Sequence, residues 1–173
     1  MDYNAKKNCT AYDSDGLKVM AAEDQDGHIP TGTLNWITQV SFEPPMVELD
    51  LKTESLVHDI IKTARYFAFN VLGNDQHGAA YTILKSDERD CQKYSREALH
   101  SSSKSAPVLD NTPTIVESGL LTTVEEGEFS IFIGEVLDAG ANQEPEGHGD
   151  EVTLFLKDLG VKTFCNRCRD FIL

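Results

Sequence analysis

The sequence predicts a mainly β protein: an antiparallel barrel, closed or nearly so, with one or two short helices. Three observations predict it. Short runs of alternating apolar and polar residues recur along the chain, each bounded by turn residues. Only the stretch after Ser55 carries a clear helical stripe. At 173 residues the chain is long enough for one domain with a real core. Closing a sheet into a barrel removes unpaired edges, and a helix can plug or flank one end.

Residues 1–15 are polar and mixed and read as an N-terminal arm, with a single domain over 16–173. A first strand is expected at Gly16–Glu23, where Leu17, Val19 and Ala21 alternate with other neighbours. Asp24-Gln-Asp-Gly27 is a turn, and a second strand runs from His28 into Thr31-Gly-Thr-Leu-Asn-Trp-Ile-Thr-Gln-Val-Ser-Phe-Glu-Pro-Pro45. Read with a period of two, Thr33, Asn35, Ile37, Gln39 and Ser41 face one way. Leu34, Trp36, Thr38 and Val40 face the other. Four hydrogen-bonding side chains thus share one face, which suits either a ligand or plain solvation.

After the double proline, Val47, Leu49 and Leu51 alternate with Glu48 and Asp50 as a half-buried strand. Lys52-Thr-Glu-Ser55 leads into a helix of about ten residues, by its 3.6-residue period. Its expected buried stripe is Leu56, Val57, Ile60, Ile61 and Ala64, with Thr53 or Ser55 as N-cap. Lys62 and Arg65 suit the negative end. Tyr66–Leu72 is an interior strand, apolar apart from Asn70, and Gln76–Leu84 a short helix. Residues 85–105 are charged and Ser-rich and read as an excursion. Thr114–Val124 and Phe129–Ala139 pair across Glu125–Glu128, and Val152–Leu156 and Val161–Phe164 close the chain as short strands.

The charge narrows the function. With 29 acidic and 15 basic residues the formal charge is −14, which argues against nucleic acid and against an anionic membrane surface. It suits a basic protein partner or solubility alone. No apolar run approaches the ~18 residues of a membrane span and no signal-peptide pattern opens the chain, so the expected location is cytoplasmic. Cys165 and Cys168 have CxxC spacing but lack the second pair a four-ligand site needs, so no metal site is expected. None of the five histidines sits in a nucleophile motif, and each reads as structural or exposed.

The run Trp36-Ile-Thr-Gln-Val-Ser-Phe-Glu-Pro-Pro45 resembles the signature of the flavin reductase-like proteins, which have the FMN-binding split-barrel fold, an antiparallel Greek-key-like barrel. Phe67-Ala-Phe-Asn-Val-Leu72 with Gln76, Ala106-Pro-Val-Leu109 and Phe129-Ser-Ile-Phe-Ile-Gly-Glu-Val136 follow in the family's order, so the resemblance spans about residues 16–157. It implies bound FMN, with NADH or NADPH as electron donor. It also implies a homodimer and a redox partner or monooxygenase that takes the electrons.

The same resemblance implies cofactor contacts from Thr33, Asn35, Trp36, Gln39 and Ser41, phosphate contacts from Lys52, Thr53 and Ser55, and later contacts from Asn70 and Gln76. A helix start is also an anion site on general grounds, because its first amides lack intrahelical acceptors. Trp36 has an alternative place in the core or a dimer interface, and Asn70 an alternative task in satisfying backbone. No catalytic side chain is implied, since the flavin carries the electrons. Two departures bear on activity: the family's frequent Gly-Asp-His before this last strand is Gly127-Glu128-Phe129 here, and its frequent Gly-Ala after Pro-Val-Leu is Asp110-Asn111. A flavoredoxin-like carrier that oxidises no nicotinamide, and a cofactor-free barrel, are therefore the alternatives.

Overall fold

The Asp24–Gly27 turn forms because Gly27 adopts φ +78°, a left-handed value that side chains disfavour, and its amide closes on the Asp24 carbonyl at 3.2 Å. In the computed structural model, which describes residues 16–80, 99–101, 107–109, 112–142 and 148–159, this turn joins β1 (Lys18–Ala21) to β2 (Thr31–Leu34). The expected arm, all four cysteines, most of the 85–105 stretch, residues 81–84 and the Val161–Phe164 strand lie outside the described residues.

The remaining elements are β3 (Ile37–Phe42), β4 (Pro45–Lys52), α1 (Leu56–Ala64), β5 (Tyr66–Val71), β6 (Leu99–Ser101), β7 (Pro107–Leu109), β8 (Thr114–Glu125) and β9 (Phe129–Ala141). Seven strands form one antiparallel sheet in the order β2-β1-β5-β8-β9-β4-β3, and β6 pairs with β7. The edge strands β2 and β3 are separated in sequence only by Asn35 and Trp36. Two residues reach about 10 Å, so the sheet must curl until its edges meet at this corner. The edges meet but do not pair, which makes the barrel split. The mainly β split-barrel expectation holds.

That corner corrects the strand reading of residues 28–42. Leu34 and Ile37 are both buried in the same core, although a single strand would point them to opposite faces. The chain turns at Asn35–Trp36, and a bulge between Gln39 and Ser41 shifts the register again. The polar row from Thr33 to Ser41 is therefore not one face.

The barrel interior is filled by Met20, Leu34, Ile37, Val47, Leu49, Leu51, Phe67, Phe69, Val116, Leu120, Phe132 and Val136. Helix α1 closes one end by inserting Val57 and Ile61. Its stripe differs from expectation, with Leu56 exposed and His58 buried. Strand β1 is covered on its outer face too, where Leu17 and Val19 pack with Leu72, Leu109, Leu154 and Leu159. The expected Val152–Leu156 strand is replaced by two 3-10 turns and single bridges from Thr153 and Phe155. Among the described residues no helix is long and apolar enough to cross a membrane.

Candidate functional site

The corner where β2 passes to β3 collects the end of β4, the start of α1 and the β8–β9 hairpin. Strand β4 arrives because the Asp50 amide donates to the Trp36 carbonyl at 3.3 Å. Strand β2 lies against the first turn of α1: a Cβ built on Gly32 would meet Val57 Cγ2 at 3.6 Å. The hairpin arrives through Thr53, whose amide and hydroxyl both donate to the Glu128 carbonyl, at 3.0 and 3.2 Å. Phe129 pairs with Lys52 and packs its ring on Trp36.

Six of the ten expected residues meet here: Thr33, Asn35, Trp36, Lys52, Thr53 and Ser55. Ser55 is the N-cap, its hydroxyl oxygen accepting the His58 amide at 3.2 Å, which leaves the hydroxyl proton available. Among the described residues the amides of Leu56 and Val57, first in the helix, have no acceptor. The Lys52 ammonium lies 4.0 Å from the largely exposed Glu54 carboxylate, a loose pair. These donors fit a phosphate. Thr53 contributes less than expected, because its hydroxyl is spent on Glu128.

Thr33 Oγ1 is buried without a hydrogen-bond partner among the described residues, and Thr33 pairs with Val19, on the face of β2 opposite the Gly32–Val57 contact. The Asn35 carbonyl accepts from Ile37 N at 3.0 Å and from Lys18 Nζ at 3.5 Å. Trp36 is 39% exposed and offers an apolar wall. Asp50, half-buried on the outward face near Lys52, has its carboxyl held above the ordinary range by burial.

The other four expected residues are elsewhere. Gln39 and Ser41 pair with Val47 and Met46, about 17–20 Å along β4 from Lys52, and the Gln39 amide donates to the Ser41 carbonyl across the bulge. Asn70 is fully buried, with Nδ2 donating to the Val19 carbonyl and Oδ1 accepting from Leu109 N. It thus serves backbone, the second of its two expected tasks. Gln76 Oε1 accepts from Gly73 N at 2.8 Å.

Sequence reasoning missed Lys18, which is 1% exposed. Its burial follows from β1 being covered on both faces, which no period-two pattern announces. It also missed Phe129 as a packing partner of Trp36, since the two are 93 positions apart. Away from the corner, Asp24, Asp26 and His28 hold ligand-type atoms within 4.8 Å of one another. The Asp24 carboxylate is used by the turn itself, accepting from the amides of Asp26 and His28, and the His28 amide is the main cause of its lowered pKa.

Comparison with known proteins gives this corner a context. A family model described as "Flavin reductase like domain" matches residues 14–158. The reductase component of a 4-nitrophenol 4-monooxygenase/4-nitrocatechol 2-monooxygenase from Rhodococcus opacus is 29% identical over 136 residues, covering 78% of this chain and 70% of that one. The NADH-dependent flavin reductase StyB of Pseudomonas fluorescens is 24% identical over 157 residues, covering 90% and 86%. Among solved structures, an FMN-binding protein from Thermus thermophilus with bound p-hydroxybenzaldehyde superposes with a TM-score of 0.68 at 19% identity, covering 80% of this chain and 76% of that one. The styrene monooxygenase flavin reductase of Pseudomonas putida S12 gives 0.65 at 24% identity, covering 76% and 83%. These structural likenesses speak to the fold.

Proposed function

The chain belongs to the flavin reductase-like domain family, and on that premise we propose an FMN-binding NAD(P)H:flavin oxidoreductase that passes electrons to an acceptor or a partner monooxygenase. The observation that carries the cofactor site is the donor set at the start of α1. The amides of Leu56 and Val57, the Ser55 hydroxyl and the Lys52 ammonium would hold the phosphate. Their local field is favourable although the whole chain is acidic, because a hydrogen-bonding donor acts at contact distance and remote charges are screened over about 8–10 Å.

Asn35 would meet the polar edge of the ring system, and Trp36 would wall its apolar side. When bound, FMN supplies the hydride and single-electron chemistry, and the protein's part is orientation and exclusion of water. No side chain needs to act as acid or base.

The test is retained absorbance. After excess FMN and desalting, the protein should keep a flavin spectrum that bleaches anaerobically with NADH or NADPH. No retained flavin and no turnover of free FMN would reject the reading. Flavin retained but bleached only by dithionite would favour an electron carrier. Phe129 at the family's histidine position and the net charge of −14 support that second reading.

A homodimer is part of the proposal. Val124, Ile131 and Asp50 form one cross-strand row on the outward face of β8, β9 and β4, next to Phe129 and Trp36. Val124, Ile131 and Trp36 are each at least 36% exposed, an apolar patch that suits an isologous contact. Light scattering should give twice the 19.2 kDa chain mass, and Ile131→Glu should halve it. A wild-type monomer would reject the dimer.

A further inference from the structure

His58 is buried, with 4% exposure, in the first turn of α1. Its Nδ1 lies 2.9 Å from Asp59 Oδ1 and its Nε2 lies 3.0 Å from Ser130 Oγ. Its ring stands edge-on to Phe132, centroids 5.2 Å apart and planes at 90°. The Asp59 carboxylate is largely exposed and accepts from Nδ1–H. Nε2 is then the acceptor for the Ser130 hydroxyl.

This is the connectivity of a nucleophile relay, Asp to His to Ser. Ser130 is fully buried, however, and sits mid-sheet opposite Leu51. No substrate reaches it, so the relay holds structure in place. What it holds is specific. The His58 amide is bound by the N-cap Ser55, while its ring is fixed to β9 one residue from Phe129. Phe129 and Ser130 in turn pair with Lys52 and Leu51. One residue therefore locks the helix start to the strand ends that carry Lys52 and the β8–β9 hairpin.

We infer that His58, held by Asp59 and Ser130, is a positioning residue for the phosphate end of the cofactor site. It sets the direction of the Leu56 and Val57 amides and their separation from the Lys52 ammonium. The inference rests on the FMN reading above. A helix start that is free to tilt keeps its donors but loses their convergence, so the loss should fall on the phosphate and spare the ring.

The experiment compares dissociation constants for FMN and riboflavin, which differ by the phosphate, in wild type, His58→Leu, His58→Gln and Ser130→Ala. His58→Leu and Ser130→Ala should weaken FMN about tenfold and leave riboflavin within about twofold. His58→Gln, which keeps a polar group facing Ser130, should recover most of the loss. FMN and riboflavin weakening together, or neither changing, would overturn the positioning role alone. Wild type binding neither flavin would overturn the cofactor reading and this inference with it. If His58→Leu does not fold, Ser130→Ala carries the same prediction, because it removes one hydroxyl from a packed site.

Discussion

Phe129 packs against Trp36 with ring centroids 5.4 Å apart and planes inclined at 57°, a favourable tilted pair that joins the β8–β9 hairpin to the β2–β3 corner. Trp36 is the chain's one tryptophan, so its emission reports on this corner alone. Adding FMN should quench it strongly, and Phe129→Ala should shift the unliganded emission to longer wavelength as water gains access. Tryptophan emission unchanged while FMN is demonstrably bound would move the cofactor away from this corner.

Lys52 and Thr53 should behave differently despite being neighbours. Lys52→Ala removes a charge-assisted donor and should weaken FMN by about 1.5–3 kcal/mol, a tenfold loss or more. Thr53→Val removes one of two bonds to the Glu128 carbonyl and should cost stability of about 1 kcal/mol or less, with FMN affinity nearly unchanged. Titration of both variants by flavin fluorescence separates them. Equal loss of FMN in both would mean that Thr53 turns to the ligand.

Asp50 should give a pH signature. Burial holds its carboxyl above the ordinary value of 3.8, so the folded protein binds this proton more tightly than the unfolded chain. Its contribution to stability is full below about pH 3.8 and is lost as pH rises through the folded value. Asp50→Asn should therefore raise Tm at pH 7, with the gain fading as the pH falls toward 3.8. A gain that persists unchanged at low pH would contradict this origin.

Gly134 lies against the Phe67 ring inside the barrel. A Cβ there would lie 2.7 Å from Phe67 Cζ and 3.2 Å from Ser118 Cβ, and an aromatic ring in a packed core has little room to move. Gly134→Ala should destabilise by about 1–3 kcal/mol, a Tm loss of roughly 2–10 °C. Calorimetry checks it, and a Tm within 1 °C or so of wild type would show that the core yields more readily than close packing implies.

Much of the sheet was legible in the chain because its strands repeat with period two. Val47, Leu49 and Leu51 alternate with Glu48 and Asp50, and all three are buried as that alternation requires. The β8–β9 hairpin was legible from the turn at Glu125–Glu128, and the start of α1 from the pair of candidate caps Thr53 and Ser55. The corner at Asn35–Trp36 was not. Alternation continues through it on paper, and only the need to bring β2 beside β1 and β3 beside β4 breaks it.

Most of the long strands, helix α1 and the family could be read along the chain, because each is a local pattern or a contiguous motif. The sequence also determined that any phosphate site in so acidic a chain must rest on local donors. The convergence of those donors belongs to the tertiary structure. It gathered Thr33, Asn35, Trp36, Lys52 and Ser55 at one corner, and left Gln39 and Ser41 farther along β4. It bound both ends of the Asn70 amide to backbone, and it buried His58 against Ser130, 72 positions away. Contacts of that kind depend on how a curled sheet brings its edges together, and no periodicity along a single strand encodes them.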